Sequence, residues 1–227
     1  MGTARLQEIL DKIVLPEVYY EKLLEYAKER KSGFDAELER LGEQGLLLNI
    51  YKGNEEDRNI ILPNIENVDK DISEELAQYA ASLLNPLRKE LETVAVAVSD
   101  LALDYAVRLA QTLNSTLRNH NYDSLIAIAK MTGVEPKGKD CQSFSEYREQ
   151  YSLCDAKKLI YRALIWRLFD DSHADYGHAL TILGLDEDEL GIEQIGFAFS
   201  TFTLDIDWLL THMIFIPKDW ILEKGQI

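Results

Sequence analysis

The chain has 227 residues, 46% hydrophobic and 28% charged, close to the averages of soluble globular proteins, so wholesale disorder is excluded. Its 24 Lys and Arg face 40 Asp and Glu, and the formal charge of −16 argues against direct binding to nucleic acid or to anionic membranes. Two cysteines, Cys141 and Cys154, are too few for a disulfide framework and match no zinc spacing, so a cytoplasmic, reducing compartment is expected.

The N-terminal region reads as a helical pair over about 5–45. Leu6, Ile9, Leu10 and Ile13 fall on one helix face. Pro16 suits the first turn of a second helix, whose apolar positions are Val18, Tyr19, Leu23, Leu24 and Tyr26, with Gly42 or Gly45 as its stop. Two short apolar runs, Leu46–Tyr51 and Asn59–Leu62, flank a polar stretch and suggest a small β-hairpin near 46–62. Asp71 and Glu74 have capping-box spacing and open a helix that Pro86 ends or kinks.

The strongest helical pattern follows, at about 87–117. Asp100, Asp104, Arg108 and Gln111 form one narrow polar stripe, and the remaining circumference is apolar, as in a buried central helix. The alternation at Val94, Val96 and Val98 is the competing strand signal. A short helix ends at Gly133, Ser143 and Glu146 repeat the capping-box spacing, and Asp155 to Phe169 is amphipathic. In 195–216 helix and strand compete; a helix to Leu210 and an extended Met213–Ile216 are expected. The sum is a mainly α fold: one domain over 1–227, bundle-like around the central helix, with a helical core over about 71–182.

The acidic C-terminal segment, 168–217, is the oddity. Its fifty residues hold no Lys or Arg and ten carboxylates, so −10 of the −16 comes from here. An unbalanced block of one sign works against its own compact state, and a positively charged partner is the simplest reason for it. Asp170, Asp171, Asp175, Asp186, Glu187, Asp188, Glu189 and Glu193 are therefore the candidate partner-binding residues. The expectation is a non-catalytic binder of a basic protein, with the logic of an immunity protein that covers the active cleft of a toxin such as a nuclease. Self-association is compatible with this. A structural or assembly subunit is the first alternative.

The second alternative is a metal-dependent hydrolase built on Asp170, Asp171, Asp175, His173 and His178. On one continuous helix the two histidines point about 140° apart, which disfavours it. A calcium loop from Asp186 fails, because Leu190 and Phe197 stand where oxygen ligands are needed. No nucleophile elbow, phosphate loop or dinucleotide fingerprint occurs. No cofactor and no metal are expected.

Overall fold

The computed structural model describes residues 10–29, 31–113, 122–134, 140–185, 192–203, 205–218 and 221. In chain order the elements are α1 (Tyr19–Lys28), α2 (Ala36–Leu48), β1 (Ile61–Leu62), α3 (Lys70–Glu90), β2 (Ala97–Val98), α4 (Asp100–Leu113) and α5 (Tyr122–Thr132). They continue with β3 (Asp140–Glu146), β4 (Tyr151–Ser152), α6 (Leu153–Phe169), α7 (Gly177–Leu183), β5 (Ile192–Thr203) and β6 (Asp207–Pro217).

A four-stranded mixed sheet, in the order β2-β5-β6-β3, organises the molecule. The fold is mixed α/β, which corrects the mainly α expectation. The reason lies in β5 and β6, an antiparallel hairpin that pairs Ile195 with Phe215 and Thr203 with Asp207. Both faces of this hairpin are covered, so its sequence shows no apolar–polar alternation and imitates a buried helix. Successive side chains still point to opposite faces. Ile195, Phe197, Phe199, Met213 and Phe215 enter one core, shared with α3, α6 and α7. Ala198, Ile214 and Ile216 enter a second, under Ala102, Tyr105, Ala106 and Leu109 of α4. The result is three layers, helix on sheet on helix. Gly196 permits the close approach of α4: a Cβ there would lie 2.1 Å from the Ala102 carbonyl oxygen.

The expected central helix is two elements. α3 runs through Pro86 and ends at Glu90, and Glu92 takes a left-handed φ of 57°. The chain then passes through β2, which pairs in parallel with β5 through Ala97–Gln194 and Val98–Ile195. The strand signal of the valines was the correct one at this point, and α4 starts only at Asp100. Asp69, not Asp71, caps α3 by accepting the Ile72 N–H at 2.9 Å.

Three further expectations are corrected. No hairpin spans 46–62: Leu46 to Leu48 finish α2, and β1 pairs instead with β4, Leu62 opposite Tyr151. Ser143 to Glu146 belong to β3, which pairs along its length with β6. Neither Gly42 nor Gly45 stops α2. They let it cross α6, since a Cβ at Gly42 would lie 2.1 Å from the Phe169 carbonyl oxygen and one at Gly45 would lie 2.3 Å from the Phe169 ring. α6 itself opens on a capping box between Ser152 and Asp155.

Two buried ionic devices join the layers. Arg88 is fully buried and donates to the carbonyls of Ile182 at 2.9 Å, Thr181 at 2.9 Å and Val94 at 2.8 Å, tying α3 to the end of α7. Burial lowers its pKa from the usual arginine value to about 10. Lys157 of α6 bridges Asp57 at 2.8 Å and Glu75 at 2.7 Å. Cys141 and Cys154 are both buried. Among the described residues, no helix is long and apolar enough to cross a membrane.

Candidate acid–base site

The residues that converge do so where α6 ends. α6 closes at Phe169, whose backbone and ring lie against the two glycines of α2, and the chain leaves through Asp170. A 3-10 turn over Ser172–Ala174 follows, and then Asp175 and Tyr176 adopt left-handed φ values of 51° and 58° before α7 begins at Gly177. Two consecutive left-handed non-glycine residues are unusual and reverse the path of the chain. The reversal returns His178 to Asp171 and brings the rings of His173 and His178 to a centroid separation of 6.5 Å. The 140° divergence expected on one continuous helix does not apply, because the segment is not one helix.

Asp171 is the anchor, with no exposed side-chain surface. One carboxylate oxygen accepts the His178 backbone N–H at 2.9 Å and the Ala179 N–H at 3.2 Å, binding the exposed donors at the start of α7. The other meets Nδ1 of the His178 ring at 2.6 Å. A carboxylate can only accept, so Nδ1 carries a hydrogen, and in the neutral ring the lone pair then falls on Nε2. The His178 side chain is 27% exposed, whereas Asp171 beside it is not.

Arg167, on the last turn of α6, supplies the positive charge. Its Nη1 lies 4.0 Å from Asp171 and donates to Nε2 of His173 at 3.0 Å. Its Nε donates at 2.7 Å to the Gln142 carbonyl on β3, and Nη2 bonds the same oxygen. The guanidinium thus braces the sheet edge, one histidine and the buried carboxylate together. Tyr19 of α1 locks the base of the site by donating its hydroxyl to the Leu168 carbonyl. Burial, and then the nearby Tyr176 and Asp171, push that phenol well above its ordinary pKa.

The acidic residues singled out from the sequence part company here. Asp171 is internal and committed to His178. Asp175 accepts the Gly33 N–H at 2.5 Å. Asp170 caps α6 with its own N–H on the Trp166 carbonyl and is half-buried. Asp186, Glu187, Asp188 and Glu189 lie outside the described residues, and Glu193 falls on β5 with its side chain likewise outside them. No three His, Cys, Asp or Glu converge to hold a metal among the described residues. Arg167 and the Gln142 carbonyl were missed from the sequence: Arg167 lies in the segment recognised only as an amphipathic helix, and nothing in a single sequence places β3 beside it.

No protein-family model and no curated protein matches the sequence. A solved structure does resemble the fold, the CAP domain of enterococcal PrgA. The likeness has a TM-score of 0.77 at 21% identity, over 97% of this chain and 92% of that one. At this identity it defines the class of fold, a mixed α/β domain, and the chemistry rests on this chain's own residues.

Proposed function

We propose that the protein is an acyl-bond hydrolase in which His178 is the general base. The observation that carries this is the 2.6 Å contact between the buried Asp171 carboxylate and His178 Nδ1, on a ring whose side chain is partly exposed; the contact places a hydrogen on Nδ1 and leaves Nε2 as the nitrogen that can act as a base. In the proposed step, Nε2 removes a proton from a water molecule as its oxygen adds to the substrate carbonyl carbon. The tetrahedral oxyanion is stabilised by the positive charge of Arg167, relayed through His173. Collapse breaks the bond to the leaving group, and the proton on Nε2 passes to that group, returning the imidazole to its starting form.

Support is weaker for the acidic block as a partner surface, because Asp171 spends its carboxylate inside the fold and Asp175, though exposed, has one oxygen on the Gly33 N–H. A metal-assisted version of the hydrolase needs a third ligand, and Arg167 already occupies one nitrogen of His173.

The test uses p-nitrophenyl acetate as a minimal acyl substrate. Hydrolysis is expected to fall by about 10²-fold or more in His178→Ala, the usual contribution of a positioned base. An unchanged rate in a folded His178→Ala protein overturns the reading. Elemental analysis of protein purified without added metal decides between the water-only and the metal-assisted forms.

A further inference from the structure

β3 is an edge strand: in the order β2-β5-β6-β3 it has β6 on one side and, among the described residues, no strand on the other. The direction of its backbone groups follows from the register. Cys141, Ser143 and Ser145 stand opposite Met213, Thr211 and Leu209, and the next residue in that series, Tyr147, donates its N–H to the Asp207 carbonyl at 3.0 Å. In an antiparallel ladder alternate residues turn their N–H and C=O toward and away from the partner strand. Gln142, Phe144 and Glu146 therefore turn theirs outward. The Gln142 carbonyl confirms the parity, since it is the oxygen that Arg167 binds from outside the sheet.

Arg167 thus closes the outward edge at Gln142, and the same guanidinium holds His173 beside His178. From Phe144 to Glu146 the edge presents donors and acceptors at the repeat of a polypeptide backbone. Phe144 is 47% exposed and meets Phe202 edge-on at 6.0 Å, which gives an incoming side chain an aromatic footing. Long exposed edges are commonly blunted by proline, lysine or a covering loop, and Phe144 to Glu146 contains no Pro or Lys.

We propose that this edge receives an extended polypeptide as an added strand, and that the peptide leaves it at Arg167 to present a peptide bond to His178. This rests on the reading of His178 as the base of an acyl-bond site and names the substrate class: an unstructured polypeptide segment. Strand addition takes its affinity from main-chain hydrogen bonds and its selectivity from alternate side chains, here the one that meets Phe144 and Phe202.

The probe is β-casein, an unfolded polypeptide, and the readout is amide hydrogen exchange. On adding it, the Phe144 and Glu146 amides are expected to slow by about tenfold or more, while those of Ser143 and Ser145, already facing β6, stay unchanged. Phe144→Pro removes an outward donor that the β6 ladder does not use and is expected to abolish binding. Phe144→Ala keeps that donor, so the Glu146 amide is still protected even if the proline variant fails to fold. No protection in the native protein overturns the proposal. So does protection that appears without β-casein and grows with protein concentration, which would mean a second copy fills the edge. The two readings separate cleanly. Protection of the same amides in His178→Ala, with no cleavage of β-casein by the native protein, leaves the edge and removes the hydrolase. Cleavage without protection removes the edge alone.

Discussion

Replacing Asp171 by Asn tests the structure and the chemistry of the site in one substitution. The side chains are nearly isosteric, so no cavity or clash complicates the outcome. In the native protein three hydrogens converge on this carboxylate: the His178 and Ala179 N–H groups on one oxygen and the His178 ring on the other. An amide has one acceptor oxygen. The less costly arrangement keeps that oxygen on the two backbone donors and turns the NH2 toward the ring. His178 Nδ1 must then accept, and the ring hydrogen moves to Nε2. Each bond also loses the assistance of a full charge, worth about 1 kcal/mol apiece, so the variant should be less stable by about 2–3 kcal/mol. With a hydrogen on Nε2 the imidazole cannot act as a base, and acyl hydrolysis should fall by about 10²-fold or more. Urea unfolding gives the first quantity, nitrogen-15 NMR of the imidazole gives the tautomer, and p-nitrophenyl acetate turnover gives the third. An Asp171→Asn protein that keeps the hydrogen on Nδ1 and unfolds at the native urea concentration would show that this carboxylate does not hold the ring.

Three other perturbations probe the frame around the site. Gly42→Ala sets a methyl group against the Phe169 backbone and should cost about 1–3 kcal/mol or more in denaturant unfolding, with Gly33→Ala as a control of a different kind, straining a positive φ of 78° with no neighbour in the way. Lys157→Met leaves Asp57, only 1% exposed, without its cation and should destabilise by about 3–5 kcal/mol; a near-neutral result would mean that water reaches Asp57. Tyr161 donates its hydroxyl to the Lys12 carbonyl, and burial, with a smaller effect of Asp11, pushes its phenol up to about 12. Because the folded pKa is the higher one, its stabilisation is complete below about pH 10 and is lost as pH rises toward 12. Unfolding midpoints should therefore drop over that range, and less steeply in Tyr161→Phe.

Only part of the helical set was legible from periodicity: the first helix expected through Leu10 and Ile13 is not helical over 10–16, and the one helix expected from Pro16 is two, α1 and α2. α6 was the clearest: Leu159, Ile160, Ala163 and Leu164 recur at helical spacing, and the structure adds only the earlier start at the Ser152–Asp155 capping box. The sheet was not legible, because a strand buried on both faces carries no alternation to read. Phe197, Ala198 and Phe199 are all buried, though neighbours point into different cores. The apolar run at 87–117 merged two helices for a related reason: the turn at Glu92 uses a left-handed residue that is not glycine. The candidate site was half legible. Its residue types drew attention as a cluster, but helix geometry separated His173 from His178, and only the left-handed pair Asp175–Tyr176 brings them together.

The parallel contact between β2 and β5 joins Ala97 to Gln194 across nearly a hundred intervening residues. Until the β5–β6 ribbon exists, α4 lacks most of the surface it packs against, and only α5 and α3 can shield its apolar side from Ala102 to Leu109. A ribosome delivers that helix long before it delivers its support. Such long-range closure slows folding.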